Sequence, residues 1–281
     1  HSSAEITGRE RPKVKIIILI VVILAAALLV YAVIENTLML KVSRYGSGNI
    51  RAVQISDLHK RRFGGKGKRV IEAVKELSPH VIFVTGDLVS RTEKDLSTAE
   101  NVLNELCKIS HVYIILGNHE QSPETDIEKR FLEMVRSTEA VLLRNERKRI
   151  TLQHRDINLI GLELPYSVYK KNGGYSDLDK VDKEAMIRLL GYLPEGENVL
   201  LAHNPLFAEA YAEWGADVTF SGHVHGGSVR LFGKGLLSPE RKFFPKYDKG
   251  VYTVGNMKLV VSAGLGKPRL FDPPEIVVYQ L

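Results

Sequence analysis

Five of the nine histidines in this 281-residue chain stand just after apolar runs, together with two aspartates and an asparagine. Ala52-Val53-Gln54-Ile55-Ser56 leads into Asp57-Leu58-His59. Val81-Ile82-Phe83-Val84-Thr85 leads into Gly86-Asp87, and Val112-Tyr113-Ile114-Ile115-Leu116 into Gly117-Asn118-His119-Glu120. Further on, Val199-Leu200-Leu201-Ala202 ends in His203, and Asp217-Val218-Thr219-Phe220 is followed by Ser221-Gly222-His223-Val224-His225. Carboxylates, amides and imidazoles are the side chains that ligate metals and move protons. So many polar groups gathered at one partly buried edge need a shared partner, or each carries a desolvation penalty. A pair of cations supplies that partner. Mixed oxygen and nitrogen ligands suit Mn, Fe or Zn, whereas Ca takes all-oxygen shells. His1, His80, His111 and His154 follow a different rule: His80 and His111 read as strand-start residues and His1 as tail.

The elements that must position these groups follow from the spacing. The apolar runs recur at intervals of about thirty residues, the length of a strand, a crossover helix and the next strand. Helical patterns fit between them, over Val70–Leu77 and Leu96–Cys107, and another follows at Asp126–Val135, with Ile127, Phe131, Leu132 and Val135 on one face. The polar groups therefore emerge at the carboxyl ends of successive parallel strands, where open α/β sheets place their ligands. From Ala140 the pattern changes to short β-like runs (Val141–Leu143, Ile150–Gln153, Ile157–Glu163), a loop at Pro165–Asp177, a helix over Lys180–Leu190 and a shorter one over Leu206–Trp214. Strand-like runs at Ser228–Leu231, Lys258–Ser262 and Glu275–Leu281 close the chain. The expected architecture is α/β: two packed β-sheets with helices outside.

Read together, Asp57-x-His59, Gly86-Asp87, Gly117-Asn118-His119-Glu120, His203 and Gly222-His223-x-His225 resemble the calcineurin-like metallophosphoesterase superfamily from about Arg51 to the C-terminus. Ser56-Asp57-Leu58-His59, and Gly222-His223-Val224-His225-Gly226-Gly227 followed by Val229-Arg230, are similar to the branch of membrane-anchored or exported bacterial phosphoesterases. They also resemble the related lipid A pathway enzymes that cleave UDP-2,3-diacylglucosamine. The resemblance implies the metallophosphoesterase fold and two metal ions. Asp57, His59 and His225 would hold the first, Asn118, His203 and His223 the second, and Asp87 would bridge both. It implies hydrolysis of phosphate ester or pyrophosphate bonds by a hydroxide shared between the ions. Asn118 and His119 would meet the substrate, and His119 would bind phosphoryl oxygens or protonate the leaving group. The chain departs from the family pattern at one point. Gly-Asp-x-x-Asp-Arg is common there, and here Gly86-Asp87-Leu88-Val89-Ser90-Arg91 has Ser90 in place of the second Asp. A hydroxyl stabilises an imidazolium less than a carboxylate does, so either His119 is not the proton donor in this chain or another group such as Glu120 assists it. Arg91 remains as a phosphate ligand.

Residues Ile16–Ile34 form an unbroken apolar stretch of nineteen. At 1.5 Å per residue it spans roughly 28 Å, close to the ~30 Å of a bilayer core. Arg9, Arg11, Lys13 and Lys15 precede it, which favours a cytoplasmic N-terminal tail (1–15), a membrane anchor (16–34) and an external metallophosphoesterase domain (38–281). A cleaved signal peptide has a shorter apolar region ending in a small-x-small site, and here the alanines Ala25–Ala27 lie mid-span. The net charge of +6 favours acidic partners. The basic run Lys60–Lys68 reads either as a solvated loop or as a handler of anionic headgroups. The mixed stretch Leu231–Gly250 reads as a packed loop or a membrane-surface face. No nucleic-acid-reading motif is present, and Cys107 reads as a packed thiol. The expectation is a monomeric membrane hydrolase acting on a phosphorylated small molecule or lipid. Its rivals are a UDP-2,3-diacylglucosamine pyrophosphatase-like enzyme at the cytoplasmic face and a non-catalytic metal-dependent scaffold.

Overall fold

The runs that end in polar motifs are strands buried along their whole length; Val81–Thr85 and Val112–Ile115 expose no residue to solvent. A computed structural model describes residues 11–169, 178–227, 229–231, 233–236, 243–266 and 268–281. It contains β1 (Lys41–Gly46), β2 (Arg51–Ile55), β3 (Val81–Thr85), β4 (Val112–Ile115), β5 (Val141–Leu142), β6 (Glu146–Leu152) and β7 (Arg155–Leu162). Beyond these lie β8 (Glu197–Ala202), β9 (Val218–Ser221), β10 (Arg230–Leu231), β11 (Lys234–Gly235), β12 (Gly250–Val254), β13 (Met257–Val261) and β14 (Glu275–Gln280). One six-stranded sheet has the order β1-β14-β2-β3-β4-β5, and the other β12-β13-β9-β8-β7-β6. In the first, β2, β3 and β4 are parallel; in the second, β7, β8, β9 and β13 are parallel.

Period-2 alternation sorts each strand between two cores. Ala52, Phe83, Tyr113 and Val277 from one sheet meet Leu159, Leu201 and Phe220 from the other between the layers. The rings of Phe83 and Phe220 cross at 5.0 Å. The alternate residues, Val53, Ile55, Ile82 and Val84, face the helices α2 (Lys68–Leu77), α3 (Ser97–Ile109) and α4 (Ile127–Arg136). The outer face of the second sheet is covered by α5 (Lys183–Leu190) and α6 (Ala208–Trp214), with Met186, Tyr211 and Trp214 packed on it. This is the two-sheet α/β architecture expected from the sequence. The site-bearing ends of β2, β3, β4, β8 and β9 all open on the same edge.

Element ends depart from the sequence reading where local chemistry overrides the apolar pattern. The helix expected from Lys180 begins at Lys183, because the Asp182 carboxylate accepts the Ala185 N–H at 2.8 Å and caps it there. In Pro165–Asp177 the described part includes a 3-10 turn, Tyr166–Tyr169; Gly173-Gly174 lie outside the described residues. The Leu231–Gly250 stretch contributes the short pair β10–β11 and leads into β12, elements too short to carry a periodic signal. Its Phe232, Leu237, Arg241 and Lys242 lie outside the described residues, as do Arg9 and His1. Cys107 is half-buried against the helical core. In the basic run, Phe63 is buried, Lys60 donates to Thr92 at 3.0 Å and Arg62 pairs with Asp95 at 4.0 Å.

The apolar N-terminal stretch lies in α1 (Arg11–Leu38). Its segment Lys13–Leu38 has a mean hydropathy of 3.4 and is long and apolar enough to cross a membrane. The helix is exposed along most of its length, Ile34 and Leu38 included, but Glu35 and Asn36 are buried against the loop before β14.

Candidate metal centre

Each polar motif turns sharply as it leaves its strand. Asp57, His59, Asp87, His223 and His225 all adopt left-handed backbone conformations, with φ of 54°, 51°, 52°, 69° and 55°. Such conformations cost a non-glycine residue roughly 1–3 kcal/mol and persist only where the surroundings over-determine them. The surroundings here are mutual hydrogen bonds. The Asp57 N–H donates to the Gly86 carbonyl at 3.0 Å, and the His59 N–H to the Asp87 carbonyl at 3.2 Å. The His119 N–H donates to Asp87 Oδ1 at 2.8 Å, and the His223 N–H to Asp57 Oδ2 at 3.1 Å. Glycines allow this close approach. A Cβ on Gly86 would lie 2.6 Å from Gly117 N and 2.7 Å from His203 Nδ1, and one on Gly222 would overlap Ser56 Oγ and Asp57 Oδ2.

The side chains converge in three overlapping groups. Asp57, His59 and His225 form one, Asp87, His203 and His223 a second, and His59, Asp87 and His119 a third between them; within each, one ligand atom per residue lies within 4.8 Å of the others. Asp87 Oδ2 is 3.9 Å from His59 Nε2, 3.9 Å from His119 Nε2 and 3.4 Å from His203 Nε2, and His225 Nδ1 is 3.8 Å from Asp57 Oδ1. Most of these separations are too long for hydrogen bonds, but they match ligand atoms each ~2.1 Å from a common ion. His203 is already oriented for that role. Its Nδ1 lies 2.7 Å from the Thr85 carbonyl and must carry the proton, which leaves the Nε2 lone pair facing Asp87. Asn118 is buried too, and its Oδ1 has no hydrogen-bond partner among the described residues. An orphaned buried carbonyl beside a carboxylate–imidazole cluster fits an absent cation.

The electrostatics agree. Burial alone would raise the Asp87 carboxyl, but the imidazoles of His119, His203 and His59 reverse the effect and hold it well below the ordinary range. Burial pulls His203 down, and Asp87 outweighs it and lifts the imidazole to about 9. A proton held on His203 would compete with an ion for that ring.

The Arg91 side chain reaches toward the 3-10 turn. Its Nη1 lies 3.5 Å from the Tyr166 hydroxyl on the 3-10 turn, and Tyr169 of that turn packs against His223 at 5.6 Å. The structure assigns Glu120 a different task from the assistance to His119 that the sequence left open. Its two oxygens accept the backbone N–H groups of Asp87 (2.9 Å), Gly117 (2.8 Å) and Val89 (3.0 Å), so it ties the Asp87 loop to the Asn118-His119 loop. The group that orients His119 is instead the Arg91 N–H, which donates to His119 Nδ1 at 3.3 Å. Gln54, Tyr169 and Arg269 had no visible role in the sequence. Gln54 joins the two sheets beneath the site, donating to Thr85 Oγ1 at 2.9 Å and to the Ser221 carbonyl at 2.8 Å.

Two six-stranded sheets that converge carboxylates and imidazoles on one edge define a metal-dependent hydrolase of the phosphoesterase class. Residues 50–227 match the family described as calcineurin-like phosphoesterase, and the chain belongs to that family, whose members use divalent metals to hydrolyse phosphate esters. Among curated relatives it is 23% identical over 242 residues to the uncharacterized metallophosphoesterase YkoQ of Bacillus subtilis, covering 83% of each chain. It is 25% identical over 273 residues to the UDP-2,3-diacylglucosamine pyrophosphatase LpxG of Chlamydia muridarum, covering 82% of each. It is 29% identical over 188 residues to a transmembrane protein with metallophosphoesterase domain from Danio rerio, covering 64% of this chain and 41% of that one.

Proposed function

We propose that this protein is a membrane-anchored phosphoesterase that binds two transition-metal ions, Mn, Fe or Zn, and hydrolyses phosphate ester or pyrophosphate bonds of a substrate presented at the membrane surface. The observation that carries the reading is the convergence of six buried side chains, Asp57, His59, Asp87, His203, His223 and His225, five of them on strained left-handed backbone. Asp57, His59 and His225 would hold one ion, Asn118, His203 and His223 the other, and Asp87 would serve both; such ions would supply polarisation of phosphoryl oxygens and a lowered pKa of bound water.

The chain's own groups do the rest. Ser56 Oγ donates to Asp57 Oδ2 at 2.6 Å and fixes the rotamer of that carboxylate. Because the Arg91 N–H occupies Nδ1 of His119, the neutral ring carries its proton on Nε2. His119 therefore acts as a hydrogen-bond donor that orients a phosphoryl oxygen. Arg91 supplies a cation for a phosphate oxygen from the Tyr166 side of the crevice.

Anchoring is supported by α1 and by the surface beside it. The rings of Tyr31 in α1 and Phe271 lie 5.6 Å apart. A hollow of about 480 Å³ lined by Lys41, Arg230, Lys249 and Phe271 adjoins one of about 510 Å³ that shares Arg230 and Lys249 and reaches Lys234 and Phe244. Phe243, Phe244 and Phe271 remain exposed. Aromatic and basic side chains beside an apolar helix suit the headgroup region. The basic residues before the apolar segment favour a catalytic domain outside the cytoplasm. A cytoplasmic-face enzyme cleaving a UDP-diacylglucosamine-like pyrophosphate is the second reading, favoured by the similarity to LpxG over 82% of each chain.

The test is metal analysis of the full chain in detergent. Alongside it, the protein is assayed on p-nitrophenyl mono- and diesters and a nucleotide-linked diacyl sugar, and intact cells are shaved with protease to fix the orientation. About two ions per chain with hydrolysis of one of these classes is expected. A chain that holds no transition metal and cleaves none of them defeats the reading.

A further inference from the structure

An apolar helix that served only as a tether would end in solvated linker. The end of α1 does the opposite, because two of its polar residues are buried: Glu35 is fully buried and Asn36 is 6% exposed. The Asn36 amide pairs with both main-chain groups of a single residue, as Oδ1 accepts the Arg269 N–H at 2.9 Å and Nδ2 donates to the Arg269 carbonyl at 2.6 Å. Glu35 Oε2 accepts the Phe271 N–H at 2.8 Å. From the other side, Arg69 of α2 donates to the carbonyls of Thr37 and Leu38 that close the helix. These contacts lock the last turn of α1 onto the segment carrying Arg269.

Arg269 carries that lock inward. Its guanidinium is buried and is spent on carbonyl groups: Nη1 donates to His225 O at 3.0 Å and to Ala263 O, and Nη2 to Gly264 O at 2.8 Å. The His225 carbonyl belongs to one of the left-handed ligand residues. Gly264 is left-handed as well, and a Cβ there would lie 2.7 Å from Asp57 Cβ. One guanidinium thus staples the backbone that carries His225 to the backbone packed against Asp57, two ligands of the same candidate ion. Among the described residues, no comparable tie reaches His203 or Asn118 from α1.

We propose that Asn36, acting through Arg269, is a positioning residue of the metal centre, and that the last turn of α1 is part of the Asp57–His59–His225 site. The inference rests on the two-metal reading above and adds an asymmetry to it: loosening the helix end weakens one ion and spares the other. Partners that orient ligands typically contribute 10–100-fold to metal affinity.

The experiment uses the full chain in detergent micelles, stripped of metal and titrated with Mn, and follows both sites by equilibrium binding and by the Mn electron-paramagnetic spectrum. In Asn36→Leu, a side chain with the same branching at Cγ that forms neither bond, the Asp57–His59–His225 site should bind at least ~10-fold more weakly. The Asp87–His203–His223 site should stay within ~2-fold, and the spin-coupled two-ion spectrum should give way to that of a single ion. Arg269→Lys, which keeps the charge but loses the fork to three carbonyls, should give the same asymmetric loss. If Asn36→Leu lacks a cooperative thermal transition, Asn36→Ser takes its place. A wild-type chain that binds no Mn defeats the two-metal reading itself. A wild-type chain that binds two ions, with variants in which both sites weaken equally or neither weakens, overturns the positioning role alone.

Discussion

Replacing Glu120 by alanine separates a structural carboxylate from a catalytic one. Its oxygens accept three buried backbone N–H groups, those of Asp87, Gly117 and Val89, at 2.8–3.0 Å. Each buried donor left without an acceptor costs about 1–3 kcal/mol, and water entering the vacated space recovers part of that, which puts the loss at about 3–5 kcal/mol. For a domain of this size about 1 kcal/mol moves the melting temperature by roughly 2–4 °C, so a drop of roughly 10 °C is expected. Glu120→Gln keeps one acceptor oxygen and turns an N–H₂ toward at least one donor, so its drop should be smaller, about 1–3 kcal/mol. The assay is thermal unfolding of the metal-loaded full chain, with turnover measured on the same preparations. If Glu120 served mainly to relay a proton to His119, both variants would melt with the parent and lose turnover. That outcome would refute its role as the tie between the Asp87 and Asn118 loops.

Asp87→Asn removes the charge shared by the two ligand groups, and both metal content and turnover should fall to background; retained activity would exclude a bridging role. The raised imidazole of His203, at about 9, makes metal uptake compete with protons. A raised histidine stabilises the metal-free fold below its unfolded value near 6.5, and this stabilisation is lost as pH rises through about 9. Mn affinity should therefore climb between pH 6 and 9, with proton release seen by calorimetry in buffers of different ionisation enthalpy; a flat profile counts against the cluster as drawn. Phe244→Trp, with buried Trp214 as the unquenched baseline, should be quenched by brominated lipid in nanodiscs if that face rests on the bilayer. Equal fluorescence in plain and brominated lipid removes that face from the membrane.

Much of the site could be read from the chain because its chemistry sits where strands stop. The parallel strands β2, β3 and β4 are apolar throughout, so a polar residue directly after each is conspicuous, and the interval between them betrays the crossovers. Asp57, His59, Asp87, His119, His203, His223 and His225 converge for that reason. The supporting residues were hidden for an equally physical reason. Gln54 lies inside an apolar strand, Tyr169 in a stretch without periodicity, and Arg269 near the end of the chain among prolines and a glycine. Each acts by bonding to main-chain atoms or packing on a ring, and neither leaves a pattern in side-chain type. The bonds of Glu120 to three main-chain N–H groups are hidden for the same reason.

The left-handed ligands explain why so much of the chain is spent behind the site. Five non-glycine residues in that conformation are a cost that an apolar core cannot offset locally, since the strain lies in loops beyond the ends of the strands. The structure meets it with main-chain bonds between loops, with glycines at 86, 222 and 264 that let those loops touch, and with buried side chains whose polar atoms address backbone: Glu120 on one side of Asp87, Arg269 on the other side behind His225. Disturbing the close contacts between those loops should therefore release a ligand loop before it melts the sheets. Stability and metal affinity then become separable: core substitutions such as Phe220→Leu should lower the melting temperature with Mn affinity nearly unchanged, whereas Gly222→Ala, which drives a methyl into Ser56 and Asp57, should weaken Mn binding at the Asp57 site out of proportion to its effect on melting. Parallel losses of melting temperature and affinity in both variants would mean that the loops and the sheets unfold as one unit, and that the strain is not held locally.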